Sequence, residues 1–248
     1  MEKNLKIVYE DDWLIVVDKP CGMLTMSTGK AGEVTAYSML TDYAREGDGR
    51  RQRSGKQRTQ SRVFIVHRLD RDTSGLLVFA KDEETKLALQ ENWSEAVLSR
   101  KYEAILEGRI EDEEGWIETW LYENPKSMLV HCYEIGRNEN PEKPPRKGWA
   151  YASSHCRTTG LLTIDNQTYT KVEFELETGR RNQIRVHSQW IGHPIAGDRK
   201  YGAKTNPFGR LALHAKTLEF IHPWTGKTLR FTSPLPRNLK QHDSCGKH

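Results

Sequence analysis

The run from Val66 to Lys81, VHRLDRDTSGLLVFAK, holds the residues best suited to chemistry. Its polar centre carries two carboxylates, Asp70 and Asp72, and two guanidiniums, Arg68 and Arg71, and it closes on Gly75. A carboxylate can attack carbon covalently or take up a proton. Nearby guanidiniums bind anions such as phosphate and favour the ionised carboxylate. His67 offers a further base, although a satisfied structural histidine is the simpler reading. Asp72, Thr73 and Ser74 are residues that bond their own backbone, and we read them as turn formers that hold the loop.

A reactive loop needs rigid supports. Apolar, β-rich runs flank this one, from Val63 to Val66 and from Leu76 to Ala80, and both read as buried strands. Upstream, Lys6 to Pro20 reads as strand, turn and strand, broken by the Lys19-to-Gly22 turn. Val34 to Arg45 fits a short helix, and Asp82 can cap another running to about Val97. In Lys101 to Glu107, alternation places Tyr102, Ala104 and Leu106 on one side of a strand. Residues 115–136 and Ala150 to Thr159 read as strands, with the Leu161–Ile164 run less regular, and 137–148 as an exposed loop. Lys171 to Thr178 alternates, burying Val172, Phe174 and Leu176. A basic helix from Arg180 to Ile191 would align Ile184, His187 and Ile191. Strands over 211–221 and a hairpin back through Leu229 to Thr232 complete the pattern.

The chain has 248 residues and a net charge of +4. That length supports a full core. No apolar run is long enough to cross a membrane, and the N-terminus lacks the apolar segment of a signal peptide. The four cysteines show no CxxC spacing, so they read as reduced thiols of a cytoplasmic protein rather than zinc ligands. Charge is segregated. Gly179 to Lys216 holds eight Lys and Arg against the single acid Asp198, a balance of +7. Arg45 to Arg62 has a balance of +5, and its residues 46–62, without one apolar side chain, predict a mobile basic loop. Segregated positive charge suits a polyanion, and nucleic acid is the common one. One domain over 1–236 is expected, followed by a disordered tail over 237–248.

Three stretches resemble the RluA-type pseudouridine synthases: IVVDKPCG at 15–22, HRLDRDTSGLLVFAK at 67–81, and GRRNQIRVHSQWIGHPIAGDRKYG at 179–202. RLALHAKTLEFIHPWTG at 210–226 extends the match. The resemblance implies an α/β fold (mixed α+β) with a long, largely antiparallel central sheet and a catalytic cleft. It implies isomerisation of uridine to pseudouridine in ribosomal or transfer RNA, with no cofactor and no metal. Asp70 would be the catalytic nucleophile or base. Arg68 would enter the RNA where the nucleotide leaves the stack, and Tyr102 would stack on the flipped uracil. Arg185 would pair with the aspartate, and Ile184 would help bind substrate. Where the family usually has histidine, this chain has Asn182. Many relatives carry an N-terminal S4 domain, for which the first matching strand near Ile7 leaves no room. A cytoplasmic monomer with RNA as partner and no membrane attachment is expected.

Two rival readings remain. A hydrolase could use Asp70 and Asp72 as an acid–base pair, releasing free base or a cleaved product. A non-catalytic basic RNA-binding or assembly factor would keep Asp70 as a structural residue only.

Overall fold

The computed structural model describes residues 5–53, 62–136 and 140–240, with backbone alone over 47–53. The chain divides into two compact units, Met1–Ser99 with Ala215–Ser233, and Arg100–His214 with Pro234–His248. In chain order, the first unit holds β1 (Lys6–Glu10), β2 (Leu14–Lys19), α1 (Ala36–Arg53), β3 (Phe64–Ile65), β4 (Ser74–Ala80), α2 (Glu83–Glu91) and α3 (Trp93–Ala96). Strand β5 (Val97–Glu107) carries the chain into the second unit. There follow β6 (Glu114–Glu123), β7 (Val130–Glu134), β8 (Trp149–Ile164), β9 (Gln167–Leu176), α4 (Gln183–Trp190) and a 3₁₀ turn at Arg199–Tyr201. Strand β10 (Leu213–Ile221) returns to the first unit with β11 (Thr228–Thr232), and α5 (Arg237–Lys240) follows.

In the first unit the strand order is β1-β2-β4-β10, with β11 on β10 and β3 on β4. Strand β2 pairs antiparallel with β1 and with β4, whose seven residues are all buried. Both strands are sequence runs without polar alternation, as strands covered on both faces must be. Leu14, Val16, Leu76, Val78, Leu218 and Phe220 form the core. In the second unit the order is β5-β9-β8-β6-β7, antiparallel throughout. Ala104, Leu106, Val172, Phe174 and Ile184 centre its core.

The α/β class and the antiparallel pairing follow the sequence expectation, and most strands fall where the apolar runs put them. Several boundaries differ. Helix α1 extends to Arg53, so the first residues of the basic 46–62 segment have helical backbone. Residues 54–61 of that segment lie outside the described residues, as do 241–248 of the tail. Over 237–240 the chain forms α5, anchored by the buried Leu239. The helix capped by Asp82, whose carboxylate accepts from the Thr85 N–H, stops at Asn92 rather than reaching Val97. There the chain turns through α3 directly into β5. Strand β8 runs unbroken through the Leu161–Ile164 run. On β5, Ile105 is as buried as its neighbours, because apolar groups cover both faces there. Among the described residues no helix is long and apolar enough to cross a membrane.

Candidate active site

In the first unit, the loop between β3 and β4 is fixed by backbone bonds on both sides of Asp70. The Thr25 hydroxyl donates to the Leu69 carbonyl at 2.9 Å and accepts from the Leu69 N–H at 3.2 Å. On the other side, the Arg71 carbonyl accepts from Lys19 Nζ at 3.1 Å and from the Gly22 N–H at 2.9 Å. Lys19 is 0 % exposed, and its ammonium also donates to the carbonyls of Met23 and Pro20. A buried ammonium is tolerated only with such partners, so these bonds hold the segment 19–25 against the loop. Cys21 Sγ donates to the Asp72 carbonyl, and the Thr73 N–H closes a turn on the Asp70 carbonyl at 3.2 Å.

Gly75 ends the loop with φ +115, where a Cβ would lie 2.2 Å from the Ala215 carbonyl oxygen. Only glycine lets β4 approach β10 so closely. Arg71 binds Asp72 through Nε at 3.0 Å and Nη2 at 3.2 Å, consistent with a turn-forming Asp72. His67 Nε2 accepts from the Val78 N–H at 3.2 Å, and the ring lies 5.1 Å from Trp93. That lone pair is engaged in holding β4, in keeping with a structural histidine. Within this frame Asp70 is half-buried and Arg68 exposed.

In the second unit, Tyr102 stands on β5 opposite Phe174 of β9, half-buried against the core. Helix α4 starts at Gln183, three residues later than the basic pattern suggested. Gln183 caps the preceding turn: its amide oxygen accepts from the Arg180 N–H and the Thr178 hydroxyl, and its NH₂ donates to Ser153 O and Ser154 Oγ. Asn182 sits in the left-handed region at φ 54, where asparagine and histidine are among the better tolerated residues. The backbone therefore accommodates asparagine at this position. Its side chain donates to Tyr201 Oη at 2.9 Å and accepts from Arg185 Nη1 at 3.1 Å.

Arg185 is tightly held. It binds Asp198 bidentately, Nε to Oδ2 at 2.7 Å and Nη2 to Oδ1 at 2.8 Å. Their side chains are 11 % and 1 % exposed, and the guanidinium carbon lies 4.9 Å from the Tyr201 ring centroid. Gly197, at φ +83, allows the Asp198 loop to pass the Arg210 carbonyl, which a Cβ would meet at 2.2 Å. Two residues after Arg185, His187 is buried between Thr119 Oγ1 and Ser154 Oγ, each 3.0 Å from a ring nitrogen. Burial pushes its pKa down to about 4, so the ring is neutral at physiological pH. Ile184 is buried in the apolar core.

Asp70 and Arg68 thus belong to the first unit, and Tyr102, Ile184 and Arg185 to the second. Sequence reasoning did not single out Asp198, Tyr201, Lys19 or Thr25. A signal for Asp198 was present, as the one acid in a stretch of eight basic residues. Among the described residues no cluster of His, Cys, Asp or Glu has the arrangement of a metal site.

The RNA pseudouridylate synthase family matches residues 13–190. YjbO of Bacillus subtilis, an uncharacterized RNA pseudouridine synthase, is 31 % identical over 237 residues, spanning 96 % of this chain and 75 % of the relative. Ribosomal large subunit pseudouridine synthase D of Nitrosomonas europaea is 35 % identical over 246 residues, spanning 95 % of this chain and 63 % of the relative. The fold resembles human RNA pseudouridylate synthase domain-containing 4, with TM-score 0.70 and 22 % identity over 95 % of this chain and 90 % of that one. The chain belongs to the RNA pseudouridylate synthase family, and it is an isomerase, an RNA pseudouridine synthase.

Proposed function

We propose that this enzyme modifies uridine in the RNA of the large ribosomal subunit, with Asp70 as its catalytic carboxylate. Isomerisation breaks the N1–C1′ bond, turns the base and forms C5–C1′. Atoms and electrons are conserved, so the reaction consumes no redox partner. Asp70 acts as nucleophile or base, and the bonds that fix its neighbours Leu69 and Arg71 support this reading. A carboxylate aimed at one atom works best from a backbone that cannot drift. Arg68, exposed beside it, fills the space the nucleotide leaves. Tyr102 receives the flipped uracil, a contact worth roughly 1–3 kcal/mol against a similar unstacking cost. Arg185, held by Asp198, and Ile184 bind the substrate. The choice of large-subunit RNA is supported by relatives named for that activity, among them the Nitrosomonas europaea enzyme. The enzyme acts in the cytoplasm as a monomer.

The observation that carries the catalytic assignment is the anchoring of the peptide units flanking Asp70. The experiment maps pseudouridines in ribosomal and transfer RNA from cells with and without the protein, and repeats this with Asp70→Asn. Wild type should restore a large-subunit pseudouridine. Asp70→Asn should bind RNA normally and restore none. An active Asp70→Asn enzyme would overturn the catalytic assignment, and a site confined to transfer RNA would overturn the substrate.

A further inference from the structure

The sheet of the second unit has two unlike faces. Alternation along β6, β7 and β8 places Leu121, Val130 and Ala152 on one of them, packed with Val186 of α4 and with Tyr201. Tyr102 shares that face through its register with Phe174 and Cys156. The opposite face carries Trp120 and Tyr122 on β6, Tyr133 on β7, and Trp149 and Tyr151 on β8. So many rings on a face turned away from α4 call for an explanation other than the unit's own core.

Tyr133 and Trp149 come from strands on either side of β6 and stack in parallel, with ring centroids 4.3 Å apart and an interplanar angle of 18°. The Arg146 guanidinium carbon lies 5.3 Å from the Trp149 ring centroid. Trp120, opposite Tyr133 in register, is wholly buried, whereas Tyr133 is 39 % exposed. Arg146, Trp149 and Tyr133 thus form a contiguous ladder in which Tyr133 is exposed. Lys126, Lys143, Arg146 and Lys147 are exposed, and residues 126–149 carry a balance of +2.

We propose that this face is a second RNA-binding site, which takes unpaired nucleotides of the substrate RNA. A base stacks on Tyr133 and extends the ladder, while Arg146 and Lys147 meet the phosphates. Stacking on aromatic rings beside a cationic stripe is the sequence-tolerant way proteins hold single strands. A site of this kind grips RNA without choosing the uridine, and the reaction chemistry stays on the Tyr102 face. The inference rests on the family's action on RNA and not on the assignment of Asp70.

The test titrates the full chain with a short fluorescein-labelled oligouridylate. Tyr133→Leu and Trp149→Leu should weaken binding by about fivefold to a hundredfold, the worth of one stacked base. Tyr133→Phe, which keeps the ring, should bind as wild type does. Arg146→Ala should lower the slope of log affinity against log salt by about one. The loss in Tyr133→Leu should appear as a raised KM for RNA. Wild-type affinity in Tyr133→Leu would overturn the proposal, as would equal losses in Tyr133→Phe and Tyr133→Leu. If Trp149→Leu does not fold, quenching of wild-type tryptophan fluorescence by the oligonucleotide, compared with Trp149→Phe, gives the same decision. A quench identical in the two proteins would overturn it. Asp70→Asn should bind the oligonucleotide as wild type does. Activity in that variant would remove the catalytic assignment and leave this one standing.

Discussion

Replacing Asp198 with Asn tests how Arg185 is held. The substitution keeps the shape and one carbonyl oxygen but removes the charge. It also turns an NH₂ toward one of the guanidinium donors that now bind at 2.7 and 2.8 Å. Arg185, 11 % exposed, would lose the bidentate carboxylate that Asp198 gives it. Removing one partner of a buried pair costs about 3–5 kcal/mol. The bond to Asn182 and the contact with Tyr201 are kept and soften the loss, so we expect the lower end, about 3 kcal/mol. For a chain of this size that lowers Tm by roughly 6–12 °C. Urea unfolding, followed by circular dichroism and tryptophan fluorescence, should show a lower midpoint with an unchanged slope. The pair Asp198→Leu with Arg185→Met should recover much of the stability, because well-packed apolar groups replace buried ion pairs at little cost. It should not recover activity. A loss below about 1 kcal/mol in Asp198→Asn would mean the pair behaves like an exposed surface bridge, and the reasoning would fail.

Other outcomes follow from the same structure. Gly75→Ala should cost about 3 kcal/mol or more, since the added Cβ meets the Ala215 backbone at a positive φ, and soluble expression with a thermal melt would reveal it. Lys19→Met should leave the Arg71, Met23 and Pro20 carbonyls without their shared donor and cost about 2–4 kcal/mol, with a fall in kcat read separately from KM. The neutral, buried His187 should make stability pH-dependent. The unfolded ring protonates near its ordinary 6.5 and the folded one only near 4, so stability is full above 6.5 and declines as pH falls toward 4. The integrated loss is roughly 3 kcal/mol. The slope over that window should flatten in His187→Gln, and an unchanged slope would refute the origin. Tyr102→Leu should lower kcat/KM by a factor equivalent to about 1–3 kcal/mol, whereas Tyr102→Phe should keep most of it.

Much of this molecule was legible as a string because its local patterns and its fold agree. Leu14 to Val17 and Leu76 to Ala80 are strands in any context that buries them, and Asp82 caps a helix by bonds within its own turn. Predicted boundaries failed where distant packing decided. The helix expected to reach Val97 breaks at Asn92 and continues only as the single turn α3 before β5 takes over at Val97, a break no local propensity encodes. Alternation on β5 told which residues share a side, and only packing showed that Ile105 on the other side is buried too.

The candidate site divides in the same way. The sequence by itself determined which residue types were present and in what order: a carboxylate in a charged loop closed by glycine, a tyrosine on a strand, and an arginine on a basic helix. Only the tertiary structure decided what holds them. Lys19 is 52 residues from Arg71, and Thr25 is 44 from Leu69, yet their bonds fix the loop that carries Asp70. Asp198, 13 residues from Arg185, is a carboxylate that its guanidinium grips. Hydrogen bonds and ion pairs act over about 3 Å of space whatever the separation along the chain. Their partners therefore become known only once the backbone has brought them together.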